Sequence, residues 1–269
     1  MAAGGVGHLV CCDHADDASV SEAFARIARE AGGLDILVNN AFSADGINGG
    51  SGLRAPFWEQ GSEMWDRVTG VGLRSHYVCA CEAVPLMRAR GGGIMVQISS
   101  FGGSSYIFNV AYGVAKAAVD RLTADMHVEL KPLGISTVSL YPGVVKTEHN
   151  LLLLKSGEWE AASGGMDLTS GETPAFSGKA VVAIASSSPE YLRRISGSVQ
   201  VVAELATELG FADEGGRIPA SIRSLKFLLP NYVFPEMRKG GLPIPTFLDT
   251  LVPDVRLPWD VFRGGPPTV

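Results

Sequence analysis

Tyr112 and Lys116, four residues apart in NVAYGVAKAAVDRL (109–122), are the strongest chemical candidates in this 269-residue chain. On a helix, positions i and i+4 share a face, so the phenol and the ammonium can point to one spot. A neighbouring positive charge favours phenolate and draws a phenol pKa down from about 10 toward working pH. A general acid and base for interconverting a carbonyl and an alcohol requires such a group. Ser100 lies twelve residues before Tyr112, beside Ser99 at the end of the apolar run GIMVQISS, where a hydroxyl can hydrogen-bond a reacting oxygen. Taken alone, the tyrosine and lysine also read as two neighbours on an amphipathic helix, so their setting has to decide.

That setting is an alternation of strands and helices. GHLVCCD (7–13) reads as a short strand, ASVSEAFARIAREAGG (18–33) as a helix stopped by glycines, and LDILVNN (34–40) as a buried strand. SEMWDRVTGVGLRSHYVCACEAVPLMRARGGG (62–93) reads as one long helix, GIMVQISS as a buried strand, 109–134 as a helix and ISTVSLYPG (135–143) as a strand. A helix over 173–187 and a last strand beginning near 197 follow. Apolar strands alternating with helices predict an α/β fold: a doubly wound, Rossmann-type parallel sheet with ligands at the carboxyl ends of its strands. Residues 146–172 keep no steady period and read as a lid or substrate loop. The predicted catalytic domain covers 1–211, and the proline-rich 212–269 reads as a capping or packing extension of it.

Composition narrows the function classes. A net charge of −6 without any Lys/Arg run argues against nucleic acid as a partner. The cysteines at 11, 12, 79 and 81 form two pairs too close in sequence for ordinary bridges, which predicts a reduced, intracellular and mainly cytoplasmic protein. No histidine or cysteine spacing matches a metal site, so no metal is expected. No apolar run approaches the ~20 residues of a membrane span, which leaves peripheral contact with an internal membrane open.

The ordered set CCD (Asp13), LDILVNNA (34–41), ISS (98–100), YGVAK (112–116) and YPGVVKT (141–147) resembles the short-chain dehydrogenase/reductase family. The resemblance implies an oxidoreductase that uses NAD or NADP to interconvert small-molecule carbonyls and alcohols, and a homo-oligomer built on the long helices. It makes Tyr112 the acid/base, and gives Lys116 the roles of lowering the tyrosine pKa and holding the nicotinamide ribose. The substrate-orienting hydroxyl falls on Ser100 by the strand-end motif, or on Ser99 by the usual distance to the tyrosine; Ser100 is preferred. Asp13 would sit by the adenine, Asn40 and Ala41 by the adenosine ribose, and Pro142, Gly143, Val145 and Thr147 along the nicotinamide carboxamide. The substrate itself is not specified; the apolar NLLLL (150–154) hints at hydrophobic ketones, aldehydes or steroid-like alcohols.

Two departures from the family pattern matter. Gly72 in GVGLR stands where the family usually carries an asparagine that completes its proton relay. The glycine-rich strand-to-helix turn that cradles the cofactor pyrophosphate is also missing, because GGVGH (4–8) precedes a strand instead of following one. The chain thus reads as N-terminally truncated, with weakened dinucleotide binding. The strand at 7–13 would pair directly with that at 34–40, or be displaced, or leave an apolar edge exposed. A catalytically silent isoform or incomplete gene product, acting only through association, is the alternative reading.

Overall fold

The computed structural model describes residues 4–43 and 55–263. Asp16 begins the first helix by accepting a hydrogen bond from Ala18 N; the helix α1 (Asp17–Ala31) ends at Gly32 in the left-handed region. There follow β1 (Ile36–Asn39), α2 (Phe57–Thr69), α3 (Ser75–Arg90), β2 (Gly93–Ile98), α4 (Val110–Leu130) and β3 (Ile135–Tyr141). Next come α5 (Glu148–Ser156), α6 (Trp159–Ser163), α7 (Pro174–Ala185), α8 (Pro189–Ile195), β4 (Val199–Val201) and α9 (Val202–Leu209), then short helices α10 (Leu225–Leu228) and α11 (Phe234–Lys239).

Among the described residues the four strands form one parallel sheet in the order β1-β2-β3-β4. Asn39 pairs with Gln97, and Gln97 with Ser139, so three carboxyl ends finish in one row. Val96, Val138, Leu140, Tyr141 and Phe176 pack with α7 and α9 on one side of the sheet. Val20, Ala83, Met87, Met95 and Ile135 pack with α1 and α3 in a second core. The C-terminal segment lies on the first core through Phe227, Leu228 and Trp259. It is fixed there by an Arg223–Glu204 ion pair and by Arg223 stacked 4.4 Å from the Trp259 ring centroid.

Three sequence expectations change. The strand expected at 7–13 does not form; Leu9 is 93% exposed, and only Cys12 leans on the second core. A short strand without a ladder partner gains no inter-strand hydrogen bonds, and Asp13 instead turns the chain toward α1, its N–H on Ser19 Oγ and its carboxylate accepting from Ala15 N. The segment is therefore displaced and β1 is an edge strand, with Ile36 and Val38 39% and 41% exposed. The single long helix expected over 62–93 is two, parted at Val71 and Gly72, whose backbone leaves the helical region. The loop at 146–172 contains α5 and α6, because Thr147 caps α5 through Asn150 N and Gly157 stops it in the left-handed region.

Candidate active site

The site begins where β1, β2 and β3 end. Asn109 caps α4, its Oδ1 accepting from Tyr112 N at 2.8 Å, which starts the helix in the register that turns Tyr112 and Lys116 toward those ends. Phe108, just before the cap, is held at φ +64°, a strained conformation for a residue with a Cβ, and its ring meets Tyr112 edge-on at 5.1 Å.

Strand alternation separates the two serines. Ser99 is buried and donates to Lys116 O at 3.2 Å, a structural bond beneath α4. Ser100 faces the Tyr112 side chain across Gly102 and accepts from Gly102 N at 3.2 Å. Gly102 is needed here, since a Cβ at that position would stand 2.6 Å from the Tyr112 ring.

Lys116 is buried and donates from Nζ to Ile98 O at 3.1 Å. Burial pushes its pKa down to about 8, against the pull of the Asp120 carboxylate one turn along. Asp120 accepts from Ser139 Oγ at 2.6 Å and from the Tyr141 hydroxyl, tying α4 to β3 behind the site. The lowering of the Tyr112 pKa that a four-residue spacing suggests does not occur in this arrangement. Burial pushes the phenol up, opposed by the Ser100 hydrogen bond, while the Lys116 ammonium sits 5.8 Å from the tyrosine ring centroid with its bond to Ile98 already made.

Phe42 explains Gly72. The Phe42 ring lies 5.0 Å from Lys116 Nζ and 5.8 Å from the Tyr112 centroid, and its edge is 2.7 Å from where a Cβ on residue 72 would be. Gly72 is at φ +119°, which also excludes side chains, so the ring takes the space an asparagine would need. The preceding residues are polar anchors. Asn39 Nδ2 donates to His76 O and Gln97 Oε1, and His76 Nε2 to Ala41 O at 3.3 Å; Asn40 is exposed.

After β3, Pro142 and Gly143 cross the end of the sheet; Val145 makes an isolated parallel bridge with Glu172, and Thr147 caps α5. Asn40 and Ala41 follow β1, Ser100 follows β2 and these residues follow β3, all at the same end of the sheet, while Tyr112 and Lys116 lie on α4. Asp13 belongs to the turn into α1 and not to a strand end. Sequence reading missed Phe42, Gly102, Asp120 and Glu172; only the Gly-Gly after Phe101 carried a local signal, that of a tight turn.

Beside Tyr112 is a cavity of about 310 Å3 lined by Tyr106, Phe108, Met166, Asn231, Tyr232 and Glu236. Asn231 braces it, accepting from Asp167 N and donating to Phe227 O, each at 2.8 Å. Its walls come from the loop before α4, the segment after α6 and the C-terminal extension.

This arrangement agrees with what the chain resembles. Dehydrogenase/reductase SDR family member 1 of Mus musculus is 39% identical, over 82% of this chain and 71% of that protein. Its Homo sapiens counterpart is 40% identical over the same shares. The solved structure of ElxO with NADP bound aligns at a TM-score of 0.61 and 27% identity, covering 71% of this chain and 74% of that one. The family model for short chain dehydrogenase matches residues 2–155, more than half of the chain, which belongs to the short-chain dehydrogenase family of oxidoreductases.

Proposed function

We propose that the protein reduces carbonyls and oxidises alcohols with NAD(H) or NADP(H), with Tyr112 as acid and base. The observation that carries this reading is the Tyr112 phenol set next to Ser100 and Lys116 at the strand ends. Burial keeps the Tyr112 phenol protonated at neutral pH, the form that can donate a proton to a carbonyl oxygen becoming an alkoxide. Ser100 orients that oxygen. In the reverse direction Tyr112 must take the proton as a phenolate, the form that burial opposes and Ser100 favours.

The donor set fits the nicotinamide riboside half of a dinucleotide. Lys116 gives one N–H to Ile98 O, and its remaining N–H groups suit a ribose diol. Pro142, Gly143, Val145 and Thr147 would flank the carboxamide, and Asn40 and Ala41 the adenosine ribose. When bound, the nicotinamide supplies or takes the hydride. The fit is poorer toward the adenine, because the Asp13 carboxylate is engaged with Ala15 N.

The cavity beside Tyr112 sets aromatic and methionine walls next to the polar Ser163, Asn231 and Glu236, which suits ketones, aldehydes or cyclic alcohols with an apolar body and a polar group. The exposed Val110, Val114 and Val128 of α4, with Tyr77 of α3, suit a homo-oligomer, which sedimentation would show. Among the described residues no helix is long and apolar enough to cross a membrane, and the four cysteines are free. Turnover of a panel of apolar ketones with NADH and NADPH, wild type against Tyr112→Phe, tests the assignment; reduction that survives the substitution overturns it.

A further inference from the structure

Glu172 is a carboxyl that this chemistry leaves unused, and it is 1% exposed. Its backbone grips the loop after β3 in both directions. Glu172 N donates to Val144 O and Glu172 O accepts from Lys146 N, each at 2.8 Å. Its side chain turns under the same loop, where Oε2 lies against Gly143 and Oε1 accepts, at 3.4 Å, the Ser177 hydroxyl. A Cβ at Gly143 would lie 2.9 Å from Glu172 Oε2, so a side chain there would push the carboxyl from its place under the loop.

Two charged groups face the carboxyl, both from the C-terminal extension. Asp213 accepts from Thr173 N at 2.9 Å and from Thr173 Oγ1, while Arg217 donates to Ser170 O and Gly171 O. The extension thus holds both flanks of Glu172. Burial, helped by the Asp213 charge, pushes the Glu172 pKa up to about 7, against the Gly143 and Ser177 hydrogen bonds and the Arg217 charge.

We propose that Glu172 is the positioning residue for the Pro142–Thr147 loop, setting through Gly143 the height at which that loop meets the nicotinamide carboxamide. The loop-holding half stands on the contacts above; the nicotinamide half rests on the functional reading already given. Removing the side chain takes away the group that Gly143 rests on and leaves a void beneath the loop. Replacing the carboxyl by an amide keeps an acceptor for Gly143 and abolishes ionisation.

The test is amide hydrogen exchange across Gly143–Lys146 in the full chain without nucleotide, corrected for intrinsic rates, at pH 6 and pH 8. Glu172→Ala is expected to speed exchange there roughly tenfold, the effect of losing about one net hydrogen bond. Wild type should lose protection from pH 6 to pH 8, as the buried carboxyl ionises, and Glu172→Gln should stay protected at both. Wild-type protection in Glu172→Ala overturns the proposal; if that variant does not fold, a pH response in Glu172→Gln equal to wild type does so. Titration with NADPH adds the second half, with KM raised in Glu172→Ala and restored in Glu172→Gln. Because exchange is read without nucleotide, a chain that proved inactive would remove the reductase reading and leave the loop result standing.

Discussion

The strand ends on either side of α4 are stabilised in opposite ways. β3 is buried almost throughout, its last residue Tyr141 is fully covered, and its exit loop is held by Glu172. Among the described residues β1 has one neighbour in the sheet and two half-exposed apolar side chains, and polar bonds among Asn39, His76, Gln97 and Ala41 hold its exit. Each end hides an ionisable group that burial keeps neutral: His76, pushed down to about 4, and Glu172, pushed up to about 7. The folded protein therefore resists gaining a proton at one end and losing one at the other. Acid should loosen the β1 exit, and mild alkali the β3 exit.

The largest expected effect concerns where the chemistry sits. Tyr112→Phe, on the well-buried side, should lower carbonyl reduction by about 10²–10⁴-fold with the melting temperature little changed. An equal loss in both activity and melting temperature would mean that the tyrosine serves packing instead.

Next comes packing itself. Leu140→Ala, in the core under β3, should cost about 2–5 kcal/mol in urea unfolding, whereas Val38→Ala on the β1 edge should cost under about 1 kcal/mol. Similar costs at the two positions would break the contrast, and would mean that something covers β1 in solution.

The pH profile of stability sharpens it further. His76 in the fold binds its proton more weakly than in the unfolded chain, so its contribution is complete above about 6.5 and is lost as pH falls toward 4. At about 1.4 kcal/mol for each pH unit, that loss is on the order of 3 kcal/mol. Glu172 acts with the opposite sign: its fold binds the proton more tightly, so its contribution is present below about 4.5 and is lost as pH rises to about 7. His76→Gln should therefore uncover a stability that declines with pH between 4.5 and 7. A variant that still gains stability across that window would show that other groups dominate.

A smaller effect tests the crowding at the β1 exit. Gly72→Ala should cost about 1–3 kcal/mol, from its positive φ and from the Phe42 ring, and part of that cost should vanish in a Phe42→Ala background. Additive costs in the double-mutant cycle would separate the two residues. Smallest of all is Arg74→Ala, which removes an exposed pair with Asp17; its melting temperature should stay near wild type at both low and high salt.

Much of the fold was legible because its signals are local. The apolar runs at 93–98 and 135–141, the helix that begins at the Asn109 cap, and the glycine stops all lie within a few residues of the structure they produce. The strand expected at 7–13 misled for the same reason: an apolar run does not reveal whether a neighbour will accept its hydrogen bonds. The helix break at Val71–Gly72 was hidden because the ring packed against it, Phe42, lies thirty residues earlier in the chain.

By itself the sequence determined a parallel α/β sheet, put Tyr112 and Lys116 on one helix face, and set serines at the end of a strand. Tertiary structure alone decided that Ser100 and not Ser99 meets Tyr112, that Phe42 replaces an asparagine, and that Glu172 reaches under Gly143. It also reversed the direction expected for the Tyr112 pKa. Periodicity and capping are properties of neighbouring residues, whereas desolvation and close approach depend on segments that only the folded chain brings together.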